Sequence, residues 1–144
     1  MLMIFFICDI YKLYIDLNNR LLLRNYSFLR DRLFSRNTLE TALLPLNNVS
    51  VNGSLVKRLF NTSNLLFKKI KSENLIAKIP SIAIAMGSAC TSETMEPSHV
   101  LKAMGLCDED VFSSVRFSIG KQTTEKEIGD TIVSFTKAIA ELRS

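Results

Sequence analysis

The sequence predicts an α+β domain, a short mixed or antiparallel sheet covered by helices, on three observations. Ile128, Ile132, Phe135, Ile139 and Leu142 recur at helical spacing behind Thr124-x-x-Glu127, which has the form of a capping box. Just upstream, Val115, Phe117 and Ile119 alternate with Arg116 and Ser118, the signature of a half-buried strand. Helical and extended patterns then interleave along the whole chain without a regular βαβ period, which favours a small sheet with helices laid over it. A chain of 144 residues, 47% hydrophobic and 22% charged, can bury one core of its own and is too apolar for disorder.

The elements follow in order. Leu22, Tyr26, Leu29 and Leu33 form one stripe of a first helix, expected over about residues 17–36, with Arg24, Arg30, Asp31 and Arg36 at its wetter positions. Pro45 and Asn47-Asn48 close the linker behind it. "VSVNG" reads as a short strand ended by a turn at Asn52-Gly53, and "SNLLF" as a second strand. "SENLIAKI" reads as a short helix capped by Ser72 and stopped before Pro80. "IAIAM", Ile82 to Met86, is a compact apolar run and is expected to be a buried strand. Pro97 suits the first turn of the next helix and Gly105 its C-terminal cap. The alternating strand and the capped final helix complete the domain. Residues 1–16 stand apart as an apolar segment, and residues 17–144 form the domain proper.

Composition narrows the function. The net charge of +4 is modest, and the densest basic cluster, "FKKIKS" from Phe67 to Ser72, lacks the interleaved aromatic residues of a nucleic-acid module. No nucleic acid is expected as a partner; the cluster is a solvated face or a docking surface for an acidic partner. Cys8, Cys90 and Cys107 are odd in number and contain no C-x-x-C pair, and His99 is the single histidine. A disulfide framework or a metal site is not expected, and a reducing, cytoplasmic setting fits. The start "MLMIFFICDI" lacks a basic n-region and a cleavage site, and it reaches Asp9 too soon for a membrane span. An apolar run of this kind calls for a covering surface.

Two residues carry the chemistry. Cys90 lies in "MGSACTSETMEPSHV", Met86 to Val100, where Gly87, Ser88, Ala89, Thr91 and Ser92 surround it with small and hydroxyl side chains. A loop over residues 87–96 built this way can move, so the thiol can reach outward; a cysteine tucked at a strand end, as a small hydrophobe, is the other reading. Arg116 projects from a strand whose opposite face is apolar, a rigid mount for two-point capture of a carboxylate. A surface arginine paired with an acidic neighbour would give the same alternation.

"GSACTSETMEPSHVLKAMG", Gly87 to Gly105, with "SSVRFSIGKQTTEKEI", Ser113 to Ile128, closely resembles the C-terminal, small domain of the cysteine desulfurases, in the subclass with a long active-site loop that feeds iron–sulfur assembly. The likeness runs upstream to "VNGSLVKRLF" and more weakly to Tyr26–Arg36. It implies the small domain of a fold-type I pyridoxal phosphate (PLP) transferase. It implies that Cys90 takes sulfur from L-cysteine as a persulfide and that Arg116 holds the substrate carboxylate. It also implies an iron–sulfur scaffold protein as sulfur acceptor.

The sequence departs from the family in ways that bear on activity. The family's cofactor lysine follows a histidine, whereas His99 is followed by Val100, and no stretch resembles the phosphate-binding residues. A proline expected near the second strand is replaced around Leu59-Phe60. On the first of these departures PLP is not expected to bind this chain alone, and because a thiol and an arginine do not break a C–S bond without an electron sink, the chain alone is not expected to be an active desulfurase. Three functions fit: half of a split desulfurase completed by a large-domain chain, a non-enzymatic module that binds sulfur acceptors, or the product of a degenerating gene.

Overall fold

The computed structural model describes the backbone of residues 21–86, 88–91 and 94–144, and the side chains of residues 29–85 and 96–144. The elements are α1 (Leu21–Leu43), β1 (Val49–Val51), β2 (Thr62–Phe67), α2 (Ser72–Lys78), β3 (Ala85–Met86), β4 (Ser88–Thr91), β5 (Thr94–Pro97), α3 (His99–Ala103), α4 (Asp108–Phe112), β6 (Ser114–Ser118) and α5 (Glu125–Arg143). The apolar segment 1–16 lies outside the described residues. So do Gly87 and Ser92.

β1, β2, β6 and β3 form one sheet in that order, and every pairing in it is antiparallel. Alternation decides which face is dry. Leu65 and Phe67 of β2 and Val115 and Phe117 of β6 are buried, with Ile119 just beyond, whereas Arg116 and Ser118 are exposed. α1 and α5 pack on each other over the dry face, and α2 packs against α5. Phe135 of α5 lies at the centre, its ring 5.6 Å from that of Phe67 and 4.9 Å from that of Phe117. Ile128 and Ile139 are buried beside it, and Ile132 and Leu142 are half-buried, as the stripe predicts.

α5 begins with the expected capping box. The Glu127 backbone N–H donates to Thr124 Oγ1 at 3.2 Å, and the Thr124 N–H donates to Glu127 Oε2 at 2.7 Å. These bonds satisfy two N–H groups that the first turn would otherwise leave open. The Thr124 backbone and hydroxyl hold the Glu127 carboxyl below its ordinary pKa.

Several expectations need correction. α1 continues to Leu43, and its buried apolar residues are Leu39 and Leu43. Leu29 and Leu33, expected to face the core, are 38% and 39% exposed. Arg36, expected at a wet position, is buried, with Nη1 donating to the Leu59 carbonyl at 2.9 Å. The physical reason is that the part of α1 packed against α5 and β2 buries Ser35, Arg36, Leu39, Glu40 and Leu43, a face offset from Leu29 and Leu33; Leu22 and Tyr26 of the stripe lie outside the residues whose side chains are described. Ser72 is the first helical residue of α2 rather than its cap, and its hydroxyl donates to the Phe112 carbonyl at 2.8 Å.

The apolar run Ile82–Met86 forms a ladder only at Ala85 and Met86. Pro97 ends a strand, and the following helix begins at His99. Within residues 87–96, expected as an open loop, the described residues pair as two antiparallel strands, Ser88 with Pro97, Ala89 with Glu96, Cys90 with Met95 and Thr91 with Thr94. Proline at the end of a strand is compatible with this pairing because its missing N–H then costs no internal ladder bond. Gly105 does close α3, at φ +91°, a backbone conformation that glycine adopts without strain.

Candidate functional site

The wet face of the sheet holds the site. β6 aims Arg116 away from the core. The antiparallel register places Asn64 of β2 directly across from it on one side and Ala85 of β3 on the other. Residues paired in this way keep their side chains on the same face, with Cβ atoms about 5 Å apart. Among the described residues the Arg116 guanidinium has no hydrogen-bond or ion-pair partner. It lines a recess of about 350 Å³ with Asn52, Asn64, Lys57, Ser98 and Met104.

The turn at Asn52-Gly53 forms one wall of this recess. Gly53 has φ +87°, and a Cβ there would lie 3.0 Å from the Met104 Cε, so both conformation and space favour glycine. The bends after it, through Leu59, are fastened to α1 by two arginines. Arg58 makes a two-point contact with Glu40, Nη1 to Oε1 at 2.5 Å and Nη2 to Oε2 at 2.8 Å. Arg36 holds the Leu59 carbonyl. Burial alone would raise the Glu40 pKa, but the hydrogen bond and charge of Arg58, with the charge of Arg36, outweigh it and lower the pKa. Burial, followed by the charge of Arg58, lowers the pKa of Arg36. The Arg58 charge is thus answered within the wall, which leaves Lys57 and Arg116 as the cations facing an incoming ligand.

A chain of polar groups stands behind the recess. Asn52 Nδ2 donates to Asn64 Oδ1 at 2.7 Å and to Ser114 Oγ at 2.9 Å, and Ser114 Oγ donates to the Asp110 carbonyl at 2.7 Å. Ser114 is wholly buried. None of these three side chains stands out in the sequence, because their meeting depends on strand register and on α4, a five-residue helix with three acidic residues and no readable period.

Cys90 lies on β4, opposite Met95. β3 pairs with β6 at Arg116, and only Gly87 separates β3 from β4 in sequence, so Cys90 follows Ala85 by five positions. An extended chain of that length spans at most about 17 Å. Ser88, Ala89 and Thr91 share the β4 strand with Cys90. Cys107, by contrast, is exposed at the start of α4.

PLP is the cofactor that the family resemblance implies for a site at Arg116. Such a site needs a lysine for the imine, an acid for the pyridine nitrogen and a phosphate cradle. The recess offers Lys57 but no carboxylate and no aromatic ring on its lining. It does not fit the cofactor on its own. Among the described residues no group of three or more His, Cys, Asp and Glu could hold a metal ion, and no helix is long and apolar enough to cross a membrane.

No family model matches the chain. Individual proteins do. It is 44% identical over 115 residues to the cysteine desulfurase IscS of Pasteurella multocida, a match that covers 80% of this chain and 27% of the relative. It is 43% identical over 115 residues to that of Histophilus somni and 42% identical over 116 residues to that of Haemophilus influenzae. The chain spans 27% of the length of these relatives. Among solved structures it resembles a NifS-like protein from Rickettsia africae, with TM-score 0.67 and 24% identity, over 78% of this chain and 29% of the other. A second NifS-like protein matches with TM-score 0.64 and 22% identity, over 82% and 29% of the two chains. These two likenesses agree on the fold.

Proposed function

This chain carries the C-terminal domain of a cysteine desulfurase, and from that premise we propose that it is the sulfur-accepting half of a desulfurase site. The observation that carries the reading is the pairing of Arg116 with Ala85, the root of the strand pair that bears Cys90. A fixed cationic fork on β6 thus stands beside β3, the strand that leads into the strand pair bearing Cys90.

Arg116 holds the carboxylate of L-cysteine and sets its thiol toward that strand pair. The Cys90 thiolate takes the substrate sulfur. The carbon keeps the electron pair of the C–S bond and takes up the thiol proton, so thiolate and L-cysteine become persulfide and L-alanine. PLP, held by a lysine on a large domain outside these residues, would supply the electron sink for that cleavage. The strand pair then offers the persulfide to an acceptor of the iron–sulfur scaffold type. The residues flanking Cys90 in sequence, Gly87, Ser88, Ala89, Thr91 and Ser92, are all small or hydroxyl-bearing.

The uncovered apolar side chains favour completion by a second body over a free-standing carrier. Leu33 and Phe34 of α1 are 39% and 61% exposed, and Leu55 and Leu59 beside the Arg116 recess are each 65% exposed. Patches of this kind on a small domain mark contact surfaces.

The test is affinity capture of the tagged chain from its own cells, followed by a sulfide-release assay with L-cysteine. Co-capture of a lysine-domain chain, the visible absorbance of its cofactor and sulfide release that is lost in Cys90→Ser are expected. A colourless capture that releases no sulfide would contradict the proposal.

A further inference from the structure

We infer that Asn64 is a second carboxylate-binding residue beside Arg116, and that Asn52 positions it by fixing which end of its amide faces the recess. The inference rests on the reading of Arg116 as a carboxylate fork and extends it to residues that neither the motif nor the comparisons single out.

The direction of the hydrogen bonds carries it. A backbone carbonyl can only accept, so the Asp110 oxygen, 2.7 Å from Ser114 Oγ, takes the single serine proton. Ser114 Oγ therefore meets Asn52 as an acceptor, and the atom of Asn52 at 2.9 Å must be its NH2 group. The same NH2 group lies 2.7 Å from the Asn64 side chain, which must present its oxygen there. Each step excludes the flipped amide, because a flip would set two acceptors against each other. Asn64 is left with its NH2 group, two donors without a partner among the described residues, on the lining of the recess that holds Arg116.

Register places that NH2 group usefully. Asn64 and Arg116 are direct cross-strand partners on the wet face, so an oxyanion held by the guanidinium comes within reach of the amide donor. The recess thereby presents Lys57, Arg116 and the Asn64 amide, and no carboxylate. A carboxylate accepts up to about four hydrogen bonds, more than one fork supplies, so a further neutral donor holds the second oxygen and fixes the tilt of the carboxylate plane. The buried Ser114 makes this orientation a property of the fold rather than of a surface side chain that can turn at will.

The experiment is an NMR titration of the full chain, labelled with ¹⁵N, using L-cysteine under reducing conditions and L-cysteinamide as the ligand without a carboxylate. L-cysteine, and not the amide, is expected to move the Asn64 side-chain NH2 resonances. Asn64→Asp, which keeps the shape but replaces the donor with a negative charge, is expected to weaken L-cysteine about tenfold or more, the loss of one charge-assisted hydrogen bond. Asn52→Asp leaves both ligand-facing residues in place but removes the donor that orients Asn64; it is expected to weaken binding about threefold to fivefold. Spectra of each variant report whether the fold is retained, and Asn64→Leu, which has no side-chain donor, serves in place of Asn64→Asp if the latter unfolds. If Arg116→Gln abolishes binding while both Asn64 variants bind like the parent, the Asn64 assignment is wrong and the Arg116 reading stands. If L-cysteine and the amide bind alike, or neither binds, the Arg116 reading fails and the Asn64 assignment fails with it.

Discussion

The two faces of one sheet show how a domain of this size divides its work. Toward α1 and α5, β2 and β6 present Leu65, Phe67, Val115 and Phe117, all buried, around the ring of Phe135. Toward the recess the same strands present Thr62, Asn64, Arg116 and Ser118, which are half-buried or exposed. The first face supplies stability through area removed from water. The second spends little on packing and holds its groups in place by hydrogen-bond direction. Because strand side chains alternate, Arg116 is held rigidly by Val115 and Phe117, its buried neighbours on either side. The backbone that carries Arg116 is thus as fixed as the core beneath it.

Substitutions should separate the two faces sharply. Phe135→Ala removes the ring that touches both Phe67 and Phe117, and it is expected to cost about 3–5 kcal/mol in denaturant unfolding. Arg116→Gln, on the wet face, should stay within about 0.5 kcal/mol of the parent. A large loss of stability in Arg116→Gln would mean that the two faces are not independent.

The Glu40–Arg58 pair tests the joint between the core helix and the recess wall. Glu40→Gln is expected to cost about 2 kcal/mol, below the cost for a wholly interior pair because Arg58 keeps some contact with water. The sign with pH follows from the lowered Glu40 pKa: its contribution is complete above the unfolded carboxylate pKa and disappears as pH falls through the lower folded value. Acid titration of stability should therefore show a steeper loss in the parent than in Glu40→Gln. Equal slopes would place the pair outside the fold's energetics. Thr124→Ala, which removes the cap of α5, is expected to cost less than Glu40→Gln, about 1 kcal/mol.

The sequence was legible where a local pattern and a local cause coincide. The alternation of β6 and the capped stripe of α5 both rest on neighbours within a turn or a strand, and both match the structure. α1 was misread for the opposite reason. Periodicity marks an apolar face without saying which body covers it, so Leu29 and Leu33 read as core while the buried Arg36 reads as surface. The strand pair around Cys90 was read as a loop because small and hydroxyl residues give a weak strand signal and Pro97 resembles a helix start. The site was half legible. Arg116 stands out by alternation and by family motif, but Asn52, Asn64 and Ser114 are ordinary polar residues until register brings them together.

The most direct test of the sulfur-accepting role is the intact mass of this chain after incubation with L-cysteine and a separately produced PLP-lysine domain of a desulfurase. The account predicts a gain of one sulfur atom, reversed by a reductant, absent in Cys90→Ser and strongly reduced in Arg116→Gln. Sulfide release with no sulfur gained at Cys90, or a gain that survives Cys90→Ser, would contradict it.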